Sequence, residues 1–285
     1  MQYALFYAEG PDALPYVPAD DNVGEWVDEI QARGVSEYGE RLRPEHDATT
    51  VRVRDGHVLV VDGPFTEAKE AIGGFDVIDV RDLDEAIEIA SKHPAASFGR
   101  VEIRPFVQWP DAEPGARIVP DGFAERAPRG RRYLMLVVAE PAGERSEATA
   151  DAEPPGVDAT EDDDPEAWVR EMDGRGIRQF GEVLRPPSDA TFVRRRRDEV
   201  LVTDGGYAES KEWVAGFDLI DVRDLAEAIE VAAKHPMARG GAIELRPLWP
   251  FDVHGDQVAR AEREADERGR RLEPAAAEAL AGASL

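Results

Sequence analysis

The sequence predicts an α+β protein: two ferredoxin-like units, each with an extra hairpin, packed sheet to sheet as an intrachain pseudo-dimeric α/β barrel. Three observations support this fold class. Residues 26–105 align without a gap to residues 168–247, with 46 identities in 80 positions. Each copy reads β-α-β-hairpin-β-α-β, which is the ferredoxin-like order around an inserted hairpin. The predicted strands are also apolar on both faces, which requires cover on both sides.

The elements of the first unit follow from periodicity and turn residues. A helix is indicated by Trp26, Val27 and Ile30 at helical spacing, and Asp55-Gly56 between two β-branched runs is a strong hairpin signal. The predicted elements are, in order, a strand at 2–7, a helix at about 20–33, strands at 37–42, 49–54 and 57–61, a strand at 74–80, a helix at about 83–92 that stops before Pro94, and a strand at 101–106.

The sheet-to-sheet packing is predicted from one strand in particular. In the run from Phe75 to Val80, Phe75 and Val77 point to one face while Ile78 and Val80 point to the other. The two helices of a unit can cover only one face of its sheet. The second unit is therefore predicted to cover the other face.

The duplication also sets the domain boundaries. The first unit is predicted at 1–107, a Pro- and Gly-rich linker at 108–130, and the second unit at 131–251 with an acidic insertion near 139–166. Residues 252–285 are charged or Ala-rich, and we expect a peripheral helix or a disordered tail there.

Composition excludes several function classes. The chain has 285 residues, no cysteine and a net charge of −26, so disulfides, thiolate catalysis and cysteine-ligated metals are absent. A polyanion would be repelled, and we expect no nucleic-acid partner. There is no apolar run of membrane-spanning length and no basic leader, and a cytoplasmic location is the expectation. We predict no metal and no cofactor.

One long ordered block resembles a known family. It begins with Asp62-Gly63-Pro64-Phe65, continues through Glu67, Lys69 and Glu70 to Gly74-Phe75, and closes with Val101–Pro105. The block is similar to the DGPF branch of the YCII-related superfamily and covers the first unit and, with losses, the second. The resemblance implies a ferredoxin-like fold that associates as a dimeric α/β barrel.

The resemblance implies less about activity. Some YCII-like relatives are enzymes with a His–Asp pair in a cleft, whereas the DGPF branch is linked to transcription or sigma factors. None of the five histidines of this chain lies on the first helix, where that catalytic histidine is expected; they are His46, His57, His93, His235 and His254. The His–Asp mechanism therefore does not transfer directly.

Asp62 is the best single catalytic candidate because it follows a strand directly and begins a Gly-Pro turn beside a predicted cleft. The alternative is that it only bonds nearby backbone amides. The same loop offers Phe65, Glu67 and Lys69 as ligand contacts, with Asp204 and Lys211 at matched positions in the second unit. Lys69 could bind an anion or donate a proton, or it could form a structural ion pair.

The last strands supply further candidates. Glu102 and Arg104, like Arg246 beside Glu244, share one face of their strand and could line a polar cavity or form an exposed ion pair. Arg43, which precedes a proline, could close the same cleft. His93 and His235 each lie at the end of a helix and before a proline, where the helix dipole favours a cation; a capping role is expected for them.

Two function classes follow. The first is a small-molecule binder or an acid–base enzyme, lyase- or hydrolase-like, with its cleft at the DGPF loop of the first unit. The second is a noncatalytic regulatory or protein-interaction module. Since the pseudo-dimer lies within one chain, a monomer is expected, with a higher oligomer left open. The first unit is the better candidate for an active copy, because the second reads Asp204-Gly205-Gly206-Tyr207.

Overall fold

The fold is seen in a computed structural model. It describes residues 1–9, 13, 22–65, 71–110, 113, 115–139, 164–197, 199–205 and 212–249. Met1–Trp249 form one compact unit that includes both repeats. The helix or disordered tail predicted at 252–285 lies outside the described residues. The acidic insertion predicted near 139–166 also lies outside them, except for Ala139 and Asp164–Glu166 at its ends.

The predicted elements are confirmed, with boundaries shifted by a few residues. The first repeat consists of β1 (Gln2–Glu9), α1 (Val23–Ala32), β2 (Ser36–Arg41), β3 (Thr49–Arg54), β4 (His57–Asp62), β5 (Ala71–Asp79), α2 (Leu83–Lys92), α3 (Ala95–Phe98) and β6 (Arg100–Pro105). The second repeat consists of β7 (Arg131–Ala139), α4 (Pro165–Gly174), β8 (Arg178–Val183), β9 (Thr191–Arg196), β10 (Glu199–Asp204), β11 (Trp213–Val222), α5 (Leu225–Lys234), α6 (Met237–Gly240) and β12 (Ala242–Pro247).

Local chemistry fixes the helix after the long central strand. The Asp82 side chain accepts a hydrogen bond from the backbone N–H of Glu85, which caps the start of α2. Asp224 does the same for Glu227 at the start of α5. Each helix stops before a proline, and the short helices α3 and α6, which the sequence did not predict, begin directly after it.

The two six-stranded sheets exchange their hairpins. One sheet has the order β10-β9-β6-β1-β5-β2 and the other β4-β3-β12-β7-β11-β8. Four adjacent strands of each sheet come from a single repeat, β6-β1-β5-β2 in one and β12-β7-β11-β8 in the other, and they have the ferredoxin-like order, as predicted. The hairpin of each repeat, however, extends the sheet of the other repeat: β3 pairs with β12, and β9 pairs with β6. The prediction that each hairpin belongs to the sheet of its own unit is therefore wrong.

Arginines hold the exchanged hairpins in place. The Arg54 guanidinium donates to the carbonyls of Ala238 and Gly241 at 2.9 Å each and of Arg239 at 3.1 Å, all at the end of α6 in the other repeat. At the matched position, Arg196 donates to the Ser97 carbonyl at 2.9 Å, at the end of α3. Cations are favoured at such helix ends.

The interior consists of three apolar layers, as the strand periodicity predicts. Phe75 and Val77 lie in the layer between the two sheets, whereas Ile78 and Val80 lie under the helices of the first repeat. The predicted linker also contributes to the central layer, because Val119 and Phe123 are buried there. Phe123 packs edge-on against Tyr38 and Phe180, with ring centroids 5.1 Å apart in both cases. Buried apolar side chains of both repeats and of the linker therefore pack together between the sheets.

The outer strands of the exchanged hairpins are exposed at the sheet edges. Every residue of β4 and of β10 is exposed. Seven of these residues are large and apolar: Val58, Leu59, Val60, Val61, Val200, Leu201 and Val202. In the described part of the chain, no helix is long and apolar enough to cross a membrane.

Candidate functional site

The hairpin exchange places the DGPF loop of the first repeat against the last strand of the second. Asp62 ends β4 opposite Thr49, and its side chain is exposed. The turn after it is held by the backbone, since the Gly63 N–H donates to the Ala48 carbonyl at 2.8 Å. The Thr50 hydroxyl donates to the Gly63 carbonyl at 2.9 Å. The catalytic role assigned to Asp62 stays a prediction.

The contact across the repeats is made by Phe65. Its N–H donates to Glu244 Oε2 at 2.9 Å, and the same carboxylate accepts from Arg246 Nη1 at 3.2 Å. Glu244 is 1% exposed, and burial raises the pKa of its carboxyl although Arg246 opposes the shift. Arg246 Nη2 also donates to the carbonyls of Arg43 and Ile72, both at 2.8 Å.

The opposite junction repeats this arrangement. Arg104 Nη1 donates to Glu102 Oε1 at 3.1 Å, and its Nη2 donates to the carbonyls of Val214, at 3.1 Å, and Arg185. Arg104 and Arg246 are each 2% exposed. They therefore do not form an exposed ion pair; each is a buried cation that joins one repeat to the backbone of the other. The ligand-binding role of Glu102, Arg104 and Arg246 stays a prediction.

Within the described part of the chain, the remaining predicted ligand-binding side chains do not meet in one cleft. The Arg43 side chain is exposed and pairs with Asp47 at 2.6 Å, while only its carbonyl reaches the junction. Asp204 is exposed at the end of β10, opposite Thr191. Glu67, Lys69 and Lys211 lie outside the described residues.

A second polar cluster lies under the helices of the first repeat. The Tyr7 hydroxyl donates to Asp76 Oδ2 at 2.7 Å. The Tyr7 ring stacks on the His93 imidazole with centroids 3.8 Å apart, and the Trp26 ring meets His93 edge-on at 4.7 Å. Tyr7 and Asp76 are half-buried, which leaves part of the pair accessible.

The environment of Asp76 makes it a titratable group near neutral pH. Burial raises the pKa of Asp76 to about 7; the Tyr7 hydrogen bond opposes this shift and the nearby Glu40 carboxyl adds to it. Burial also raises the pKa of Tyr7, so its hydroxyl stays protonated. Glu40 has a pKa of about 7 as well, raised by its own burial.

A glycine is required beneath the Asp76 carboxylate. Gly39 lies opposite Asp76 on the neighbouring edge strand β2, and a Cβ there would be 1.8 Å from Asp76 Oδ1. The matched residue of the second repeat, Gly181, lies opposite Asp218, and its Cβ would be 2.2 Å from Asp218 Oδ1. Both repeats therefore keep a carboxylate lying over a glycine.

The two repeats stabilise this carboxylate differently. In the second repeat Val137 takes the place of Tyr7, opposite Gly216 as Tyr7 is opposite Gly74. Asp218 instead pairs with Arg178, whose Nε lies 2.6 Å from Asp218 Oδ1 and whose Nη2 donates to the Gly181 carbonyl at 2.7 Å. The position of Arg178 is taken by Ser36 in the first repeat.

The histidines act as acceptors rather than cations. His93 Nδ1 accepts a hydrogen bond from the Ala95 N–H, and His235 Nδ1 accepts one from the Met237 N–H, both at 3.1 Å. Burial, with a smaller contribution from Arg178, lowers the pKa of His235 to about 4. The histidines therefore cap the start of the following short helix rather than act on the end of the preceding one. The cationic form expected at a helix end is wrong for His235.

Sequence reasoning missed the Tyr7–Asp76 cluster. A signal was present, because the repeats differ in a coordinated way: Tyr7 and Ser36 in one correspond to Val137 and Arg178 in the other. A polar residue within an otherwise apolar strand, GFDVID, was the second signal. Among the described residues, no group of three or more His, Asp or Glu side chains could hold a metal ion.

The fold and the matched polar sites define a tandem protein of the α/β-barrel class, made of two ferredoxin-like repeats. The YCII-related domain family matches residues 1–110 and 187–252, more than half of the chain, and the chain belongs to that family.

The chain is similar to a curated relative and to a solved structure. Uncharacterized protein R00369 of Rhizobium meliloti (strain 1021) is 41% identical over 75 residues, which span 26% of this chain and 60% of that relative. The crystal structure of "Putative Chlorite dismutase TA0507" aligns over 88% of this chain and 95% of its own, with 11% identity and a TM-score of 0.35.

Proposed function

We propose that this YCII-related protein binds a small molecule in its first repeat and that Tyr7 and Asp76 form an acid–base pair at that site. The observation that carries the proposal is the asymmetry of the two carboxylates. Asp76 is held by a neutral hydroxyl and titrates near pH 7, whereas Asp218 is paired with the guanidinium of Arg178. Burial raises the pKa of Asp218 as well, but the Arg178 guanidinium opposes that shift, whereas the groups that act on Asp76 include no cation.

The pair has the chemistry that proton transfer needs. A group whose pKa is close to the working pH is present both as an acid and as a base. Tyr7 occupies Oδ2, so Oδ1 is the oxygen left to receive or deliver a proton. His93 fixes the position of the Tyr7 ring by stacking on it. The reaction class this supports is lyase- or hydrolase-like acid–base chemistry on a small molecule.

The DGPF loop remains a second proposed location for the same activity. Asp62, with Phe65 and the loop residues Glu67 and Lys69, would contact a ligand there. The buried Glu244–Arg246 pair beneath Phe65 would serve to position the loop rather than contact the ligand. The two locations lie on different sheets, Asp62 on β4 and Asp76 on β5, and they make separable predictions.

A thermal-shift screen of small amines, carboxylates and phenols distinguishes these locations. We expect at least one compound to stabilise the wild-type protein and to lose its effect in Asp76→Asn. The matched variant Asp218→Asn, in the repeat that carries Arg178, should keep the effect. Loss of the effect in Asp62→Asn instead would move the site to the DGPF loop. Identical profiles for the wild type and all three variants would overturn the proposal.

The alternative, an interaction module, is favoured by a separate observation. The strands β4 and β10 expose apolar residues, and within the described part of the chain each is the edge strand of its sheet. Such edges are templates for pairing with another chain. If they are used, sedimentation should show self-association in the wild type, and Val60→Lys combined with Val202→Lys should abolish it. A monodisperse monomer at all concentrations for both proteins would count against this alternative.

A further inference from the structure

The second repeat shows which group fits on the shared carboxylate. The guanidinium of Arg178 bridges two acceptors: Asp218 Oδ1 at 2.6 Å from Nε, and the Gly181 carbonyl at 2.7 Å from Nη2. The glycine leaves room for the carboxylate to lie flat over the neighbouring strand. A planar, forked donor is therefore the natural partner of this pair of acceptors.

The first repeat keeps the acceptors but not the arginine. Asp76 lies opposite Gly39 in the same register as Asp218 opposite Gly181. Ser36, at the position of Arg178, carries no charge. The influences on Asp76 within the described residues are its burial, the Tyr7 hydrogen bond and the Glu40 carboxyl, and none of them is a cation. Tyr7 occupies Oδ2, which leaves Oδ1 over the glycine, as in Asp218.

We propose that Asp76 Oδ1 and the Gly39 carbonyl bind the guanidinium or amidinium group of a small cationic ligand, in the place that Arg178 occupies in the second repeat. This inference rests on the proposed function and names the ligand class for that site. The net charge of −26 also attracts cations to the protein at low salt.

The proposal predicts a specific pH dependence. A cation binds the ionised carboxylate, so its apparent affinity should fall about tenfold for each pH unit below 7 and level off above pH 8. The groups around Asp76 are Tyr7 on β1, Glu40 on β2 and, stacked on Tyr7, His93 after α2. Glu40 titrates in the same range, and Glu40→Gln separates its contribution.

The test uses the full chain and three probes of similar size: butylguanidine, butylamine and the neutral butylurea. Calorimetry at pH 8 should show one equivalent of butylguanidine bound and no binding of butylurea. The variant Ser36→Arg supplies a guanidinium from the protein itself, so its affinity for butylguanidine should be at least tenfold lower than that of the wild type. The control Ser36→Ala should keep the wild-type affinity. Thermal unfolding of Ser36→Arg checks that the variant is folded.

The complementary change is made in the second repeat. Arg178→Ser, combined with Val137→Tyr, should give a second equivalent of butylguanidine. Equal binding by the wild type and a folded Ser36→Arg would overturn the inference. If a neutral or anionic compound binds in an Asp76-dependent way while butylguanidine does not, the inference fails but the proposed function stands. If no compound binds in an Asp76-dependent way, both fail.

Discussion

Removing the Arg54 guanidinium should weaken the attachment of the exchanged hairpin. This side chain makes three hydrogen bonds, between 2.9 and 3.1 Å, to the carbonyls that end α6 of the other repeat. Hydrogen bonds to a charged group contribute roughly 1.5–3 kcal/mol each, but three that share one half-buried guanidinium are not additive. We therefore expect Arg54→Ala to lower the free energy of unfolding by about 2 kcal/mol.

The assay is equilibrium unfolding in urea, followed by circular dichroism. The midpoint should shift while the m-value stays constant, and the melting temperature should fall by about 4–8 °C. Arg54→Lys keeps the charge but not the fork of donors, so an intermediate loss is expected. The control is Arg131→Ala, whose side chain is exposed. A loss in Arg54→Ala no larger than in this control would refute the reasoning.

Three further predictions concern the core and the titratable groups. Phe123→Ala removes a fully buried ring between the sheets and should cost about 3–5 kcal/mol, measured by urea unfolding; a cost below 1 kcal/mol would mean that the linker is not part of the core. His235 is held neutral, so the unfolded chain binds more protons between pH 4 and 6.5; stability should fall by up to about 3 kcal/mol as the pH drops through that window, and His235→Gln should flatten the curve. Tyr7→Phe removes the hydrogen bond that lowers the pKa of Asp76 and should move its titration above pH 7, as followed by carboxyl NMR; a downward shift would contradict the pairing.

Local patterns were sufficient to predict the elements and the layers. The helix at about 83–92 was predicted to stop before Pro94, and its observed bounds are Leu83–Lys92, with a cap at Asp82 that the prediction did not include. The alternation of Phe75 and Val77 against Ile78 and Val80 gave the correct faces, since period-two patterning is set by the strand itself.

The partner of each hairpin could not be predicted in the same way. β3 could pair equally well with the last strand of either repeat, because Glu102-Ile103-Arg104-Pro105 and Glu244-Leu245-Arg246-Pro247 are almost the same sequence. The choice depends on how the chain crosses between the sheets, which no local pattern encodes. The Tyr7–Asp76 contact was missed for a related reason: the two residues are 69 positions apart and meet only across paired strands.

The exchanged hairpins also determine when the protein can finish folding. β3 cannot complete its pairing until β12, which begins at Ala242, has been synthesised. The pair Val51–Ile243, for example, joins residues that are far apart in the chain. During synthesis, the sheet of the first repeat therefore lacks β9 and β10, and the β3–β4 hairpin lacks β12, until the second repeat has left the ribosome. Contacts of such long range slow folding and prolong the exposure of unpaired edges. The nascent first repeat should depend on chaperones until β12 emerges, and duplication within one chain keeps the required partner strand on the same polypeptide.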